Sequence, residues 1–229
     1  MSSIIRKATQ QEIEFTHNVM YPLQDKVLAC MNSEGFYLTG GTCLSRFYLH
    51  HRYSEDLDFF YEARRFPSEE FEGEARQFIG DLRKTFQLKL TIDSKTFKRI
   101  IIEHENVELK VELINDPIEA VGERIKNGNF KVDTLVNIGS NKITTVYGRK
   151  AAKDYVDLFF LLKQFSLNEL IEGANRKMIP LKYEEASMAL NWGKWDNREV
   201  LLFNDITEEE FTNFVVELNR KLLEHARTV

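Results

Sequence analysis

Gly40-Gly41-Thr42-Cys43-Leu44-Ser45-Arg46-Phe47-Tyr48-Leu49-His50-His51-Arg52-Tyr53-Ser54-Glu55-Asp56-Leu57-Asp58-Phe59-Phe60 decides the fold. The glycine pair follows the apolar run Phe36-Tyr37-Leu38, a helix-length spacer comes next, and two aspartates one residue apart close the stretch inside a second apolar run. This order reads as strand, turn, short helix, strand. In an extended strand residues two apart share a side, so Asp56 and Asp58 project together while Leu57 and Phe59 turn into a core.

Two carboxylates on one face repel, and they stay together only if they share a proton or hold a cation. A hard divalent ion with oxygen ligands, above all magnesium bridging carboxylates and phosphates, fits that need. Gly40 and Gly41 lack Cβ atoms and let the backbone approach a ligand closely. Thr42 can then open a helix whose first N–H groups favour an anion. Within the spacer, Leu44, Phe47 and Tyr48 form an apolar face. His50 and His51 are adjacent and diverge on a helix, so a helix-end role for at least one is expected rather than joint ligation of one ion. Arg52 is expected to counter the carboxylates or a triphosphate, and Ser54 to cap or steady the turn before the strand.

Working outward, the apolar positions Ile13, Val19, Leu23, Val27, Leu28 and Met31 predict helix over 10–33, with Pro22 dividing two helices or kinking one. Pro67-Ser68-Glu69-Glu70 starts an amphipathic helix that ends near Lys84. Strand-like runs follow at Leu88–Ile92, Arg99–Glu103 and Val107–Ile114. The last alternates, with Val107, Leu109, Val111 and Leu113 on one side and Glu108, Lys110 and Glu112 on the other. Two-metal phosphoryl transfer calls for a carboxylate beyond the first pair. Glu108 and Glu112 are the candidates on this strand; the alternative is that both only face solvent.

Together, Gly40-Gly41-Thr42-x-Leu44 and His51-Arg52-x-Ser54-x-Asp56-Leu57-Asp58-Phe59 resemble the nucleotidyltransferase superfamily, and more narrowly the AbiEii/AbiGii toxin family, to which the MenT toxins are related. The resemblance covers roughly residues 36–165. It implies an α+β fold: an N-terminal nucleotidyltransferase-like mixed sheet flanked by helices (1–125), then a C-terminal helical domain contributing to the nucleotide site (126–229). Asp56, Asp58 and Glu112 would be both catalytic and metal-binding, around a two-ion magnesium centre. The resemblance selects Glu112 over Glu108 by its place in the family-like run Leu109-Lys110-Val111-Glu112-Leu113-Ile114, where the family often has aspartate.

The later run Lys142-Ile143-Thr144-Thr145-Val146-Tyr147-Gly148-Arg149-Lys150-Ala151-Ala152-Lys153-Asp154-Tyr155-Val156-Asp157-Leu158 resembles further motifs of the family: a lysine opening a helix, an arginine seven residues on, and a basic-Asp-x-x-Asp-Leu run heading another helix. By that resemblance Gly40, Gly41, Thr42, Arg52, Ser54, Lys142, Arg149, Asp154 and Asp157 belong to the nucleotide site. The family more often has arginine at the position of Lys153. The bland reading pairs Lys150 with Asp154 and Lys153 with Asp157 along one helix. The activity implied is transfer of NMP from an NTP, with GTP preferred in the family, to a tRNA 3′ end or a protein, by a toxin with an AbiEi-type antitoxin partner. Two alternatives remain: phosphodiester hydrolysis, and a non-catalytic relative that binds nucleotide or a partner.

Beyond residue 117 the chain reads as helical and connecting segments, with a turn at Asn127-Gly128-Asn129. From Ser166 onward it reads as helices, the last entered through Thr207-Glu208-Glu209-Glu210. Trp192 and Trp195 either anchor packing or stack on a base or partner. At 229 residues with net charge −5, the chain has room for a real core and is no polycation, so any nucleic-acid contact needs a local basic patch. Two cysteines without metal-ligand spacing suggest a reducing compartment. No run approaches the roughly 18 apolar residues of a membrane span, and a cytoplasmic protein is expected.

Overall fold

The computed structural model describes residues 4–178, 180–191 and 198–228; Trp192 and Trp195 lie outside them. In chain order the elements are β1 (Ile5–Lys7), α1 (Gln10–Phe15), α2 (Tyr21–Ala29), β2 (Phe36–Thr39), α3 (Gly40–Leu44), β3 (Leu57–Glu62), α4 (Ser68–Arg83), β4 (Gln87–Asp93), β5 (Phe97–His104), β6 (Val107–Asp116), β7 (Ile125–Asn127) and β8 (Phe130–Val132). There follow α5 (Leu135–Gly148), α6 (Ala152–Leu161), α7 (Leu167–Asn175), α8 (Tyr183–Asn191), β9 (Val200–Leu202) and α9 (Glu208–Thr228). The fold is mixed α/β, as the motif order implies.

Two compact units emerge: Thr9–Tyr48 with Ser54–Thr134, and Met1–Ala8 with Leu49–Tyr53 and Leu135–Val229. The first, the sheet unit, is built on a seven-stranded sheet of order β4-β5-β6-β3-β2-β8-β7. β3 runs antiparallel to β2 and parallel to β6, with Asp58 opposite both Thr39 and Glu112. Alternation along β3 and β6 sends Leu57, Phe59, Tyr61, Leu109, Val111 and Leu113 into the core. Helix α4 covers that side: its apolar stripe Phe71, Ala75, Phe78, Ile79 and Leu82 is buried, and the Phe59 and Phe78 rings meet at 5.7 Å. Burial of side chains such as Phe71 or Leu82 contributes about 1.5–3 kcal/mol apiece. The opposite face of β3 and β6 carries Asp58, Lys110 and Glu112.

Helices α1 and α2 run continuously through a π turn at Thr16–Met20, and Pro22 falls at the start of α2, so the proline neither divides nor breaks the run. Its missing N–H is absorbed in the turn where the bonding pattern shifts. A second π turn, Ser45–Leu49, extends α3, and His50 ends it in the left-handed region at φ 47°. That is the helix-end role foreseen for one histidine of the pair. Inside the sheet unit, the Gln24 amide donates to the carbonyl of Glu55 at 2.8 Å and pins the approach to β3.

Three readings are corrected. Residues 117–134 are not only connecting segments, because β7 and β8 form a hairpin around Asn127-Gly128-Asn129 and β8 joins β2 in parallel. The stretch after Ser166 is not all helix, because β9 pairs in parallel with β1, and Arg52 makes an isolated bridge to Leu202. Strands of three residues are too short to show a period. Lys142 does not open a helix; it sits midway along α5.

The second unit is the helical one. Capping boxes open two of its helices: Ser166 with Glu169 begins α7, and Thr207 with Glu210 precedes α9. The Tyr155 hydroxyl donates to Asn219 Oδ1 at 3.0 Å and ties α6 to α9. Among the described residues no helix is long and apolar enough to cross a membrane.

Candidate active site

The polar face of the sheet unit gathers all three sequence-predicted carboxylates. Asp58 stands opposite Glu112 across the β3–β6 ladder, and Asp56 precedes it by two residues on the same side. Arg99 on β5 lies opposite Glu112 in turn, its Nε donating to Oε1 at 2.7 Å. Lys110 Nζ stands 2.9 Å from Asp56 Oδ2 and 3.4 Å from Glu112 Oε1. Burial lowers the affinity of Lys110 for its proton, but Asp56, then Glu112 and Asp58, outweigh it and leave the pKa raised.

The glycine turn meets this face. Gly40 has φ +73°, and a Cβ there would lie 2.6 Å from Asp58 Oδ2. Only glycine lets the backbone pass so close to the carboxylate. The Thr42 hydroxyl is engaged within the turn, with Ser54 Oγ at 2.9 Å and the Asp56 carbonyl as partners. Thr42 and Ser54 thus fasten the turn to the start of β3.

The donor set suits a hard divalent ion: three carboxylates, no sulfur or imidazole, and an ammonium already lodged among them as a stand-in cation. Among the described residues no three candidate ligands converge on one point in this arrangement. Lys110 and Arg99 draw Asp56 and Glu112 toward themselves instead.

The remaining predicted residues assemble inside the helical unit. Asp154 and Asp157, at i and i+3 on α6, are fully buried. Lys142 Nζ reaches Asp154 Oδ1 at 2.8 Å and Asp157 Oδ2 at 2.6 Å. Arg149 Nε donates to Asp154 Oδ2 at 2.7 Å. Arg52 grips Asp157 with both arms of its fork, Nε to Oδ1 at 2.6 Å and Nη2 to Oδ2 at 2.9 Å. His51 Nε2 lies 2.7 Å from Asp157 Oδ1, and its Nδ1 has no hydrogen-bond partner among the described residues. Asp157 is thus held by Arg52, Lys142 and His51, where the helix-local alternative paired it with Lys153.

Burial pushes the Asp157 pKa up, yet Arg52 and then Lys142 more than reverse this and hold the carboxyl well below its usual range. Burial lowers the His51 pKa despite Asp157 beside it, so the imidazole is neutral near pH 7. Lys153 is lowered too, by burial first and then by Arg52, Arg149 and Lys142, with Asp154 only partly offsetting them.

Sequence reading missed the roles of Lys110, Arg99 and His51. Lys110 stands in the alternating polar set of β6, but the strand register that brings it to Asp56 is a long-range pairing no local pattern shows.

Strand, glycine turn, helix and carboxylate-bearing strand beside a third carboxylate define the nucleotidyltransferase fold. Solved structures similar to the chain bear this out. JHP933 from Helicobacter pylori matches with 16% identity and TM-score 0.58, covering 97% of this chain and 96% of that one. A putative nucleotidyltransferase from H. pylori matches with 16% identity and TM-score 0.58, covering 96% and 98%. MenT4, a nucleotidyltransferase toxin from Mycobacterium tuberculosis, matches with 15% identity and TM-score 0.57, covering 90% and 83%. The chain belongs to the family of the nucleotidyl transferase AbiEii toxin of a type IV toxin–antitoxin system, whose model matches residues 28–227. No curated protein sequence matches it.

Proposed function

We propose that this chain is the toxin of a toxin–antitoxin pair and transfers NMP from an NTP to an acceptor, a tRNA 3′ end or a protein, with release of pyrophosphate and dependence on magnesium. The observation that carries the reading is the shared face of Asp56, Asp58 and Glu112 with the Gly40 backbone against Asp58. Asp56, Asp58 and Glu112 would hold the divalent ions. When bound, such ions neutralise the triphosphate and lower the pKa of the attacking hydroxyl. The chain's own work is positioning and charge compensation, as in phosphoryl transfer generally. Gly40, Gly41 and Thr42 shape the turn on which phosphate is seated, with Ser54 steadying it.

Within the helical unit, Arg52, Lys142 and Arg149 are the residues that the family resemblance assigns to the nucleotide site. Arg52, Lys142, Arg149 and Lys153 gather around Asp154 and Asp157 in one cluster, and cationic groups of this kind complement a polyphosphate. Arg52 and Lys142 hold the aspartates, whereas burial first and then the cations Arg52, Arg149 and Lys142 lower the Lys153 pKa, a shift that a bound anion would oppose. An AbiEi-type antitoxin is the partner, and the reaction belongs to the cytoplasm.

The test is incubation of the purified protein with magnesium, each labelled NTP in turn and total tRNA, beside Asp58→Ala. Label on tRNA from one NTP, absent with the variant, is the expected result and names donor and acceptor. Magnesium-dependent NTP binding without transfer to tRNA moves the acceptor to protein. A folded protein that neither binds nor transfers any NTP overturns the enzyme reading.

A further inference from the structure

An ammonium occupies the polar face of the sheet unit where the proposed reaction requires a metal ion. Lys110 Nζ bridges two of the three carboxylates, at 2.9 Å from Asp56 Oδ2 and 3.4 Å from Glu112 Oε1. Asp58, opposite Glu112 in the ladder, lies within its field as well. A carboxylate lone pair directed at an ammonium is not free for a second cation, and two cations confined between the same oxygens repel each other. Lys110 is also able to leave. Its side chain is 33% exposed and ends a flexible four-carbon stem, so the charged head can turn into water while the stem stays on the strand. Arg99, by contrast, grips Glu112 by a charged hydrogen bond from the opposite position on β5.

We propose that Lys110 is an internal counter-ion that competes with the divalent ion for Asp56 and Glu112. It holds the carboxylates together before the ion binds, withdraws when it binds, and thereby sets the metal concentration at which the site loads. This assignment rests on the nucleotidyltransferase reading of the same face.

The test measures binding of Mn2+ alone, without nucleotide, by the electron paramagnetic resonance of free ion. Compared are the unsubstituted chain, Lys110→Met, Lys110→Arg, Asp58→Ala and Lys126→Met, the last removing an exposed lysine of the same unit as a control for overall charge. Thermal unfolding confirms that each is folded, and Lys110→Gln replaces Lys110→Met if that variant is not. Lys110→Met is expected to bind Mn2+ on the order of tenfold more tightly, with Lys110→Arg and Lys126→Met within about twofold of the unsubstituted chain. Its melting temperature should fall without Mn2+ and recover with it.

If Lys110→Met binds no more tightly than Lys126→Met while Asp58→Ala loses the ion, the counter-ion role is overturned and the metal site stands. If neither the unsubstituted chain nor Lys110→Met binds Mn2+, or Asp58→Ala binds as well as both, the metal reading of the face is overturned and the role of Lys110 with it.

Discussion

A Cβ on Gly40 would stand 2.6 Å from Asp58 Oδ2, so the backbone of the glycine turn and the central carboxylate touch with no room for a side chain between them. Gly40→Ala must also place an L-residue at φ +73°. The left-handed conformation alone costs about 1–2 kcal/mol. Gly40→Ala should therefore lose about that much stability in urea denaturation and displace Asp58, lowering NMP transfer by at least about tenfold. A variant with unchanged stability and transfer would show that the close approach has no role.

Lys142 is expected to be a folding residue as much as a ligand. Its ammonium neutralises two buried carboxylates, and removing one partner from such a set costs about 3–5 kcal/mol because the remaining charges are left uncompensated. Lys142→Met should lose that much stability in denaturant, and Lys142→Met with Asp154→Asn should lose less than Lys142→Met alone. Equal losses for the single and double variants would mean the two do not share one network.

Acid should destabilise the chain in two windows. Asp157 is held well below 3.8 when folded, so the unfolded state takes up its proton first. The stability it contributes is full above about pH 4 and is lost as pH falls through the lower folded value. His51, held neutral below its ordinary 6.5, acts in the same direction earlier, its loss beginning as pH drops through that value. Melting temperature against pH should flatten below about pH 4 in Asp157→Asn and just below about pH 6.5 in His51→Gln. Unchanged slopes in both variants would refute the assignment.

Lys153→Met separates binding from folding. No anion is near enough to outweigh the cations around this lysine, so its removal should leave stability the same or slightly higher. Under the phosphate-binding reading, the Kd for NTP should rise on the order of tenfold in titration calorimetry, about 1.4 kcal/mol. A Kd unchanged from that of the unsubstituted chain would remove Lys153 from the nucleotide site.

What could be read in the sequence depended on the range of the interaction. The alternation of Val107–Ile114, the helix start at Pro67-Ser68 and the Asp56-x-Asp58 spacing are local, and each appears in the structure as β6, α4 and the edge of β3. The grip of Lys142 and Arg52 on the α6 aspartates depends on packing between segments, and a helix-local reading instead paired Lys153 with Asp157. The same holds for β1, whose three residues find their partner only in β9. Lys142 in mid-helix was obscured because the family motif marks the residue and not the preceding turn, where α5 begins at Leu135.

The pairing of Ile5 with Val200 has a bearing on how this toxin is made. During synthesis the N-terminal strand leaves the ribosome long before its neighbour exists, and contacts so distant along the chain form late. Leu49–Tyr53, too, sits in the helical unit although the sequence on either side of it belongs to the sheet unit. Arg52, emerging early, must wait for Asp157 to neutralise it. A nascent or truncated chain that stops short of Val200 therefore lacks the partner of β1, and one that stops short of Asp157 leaves Arg52 without this carboxylate.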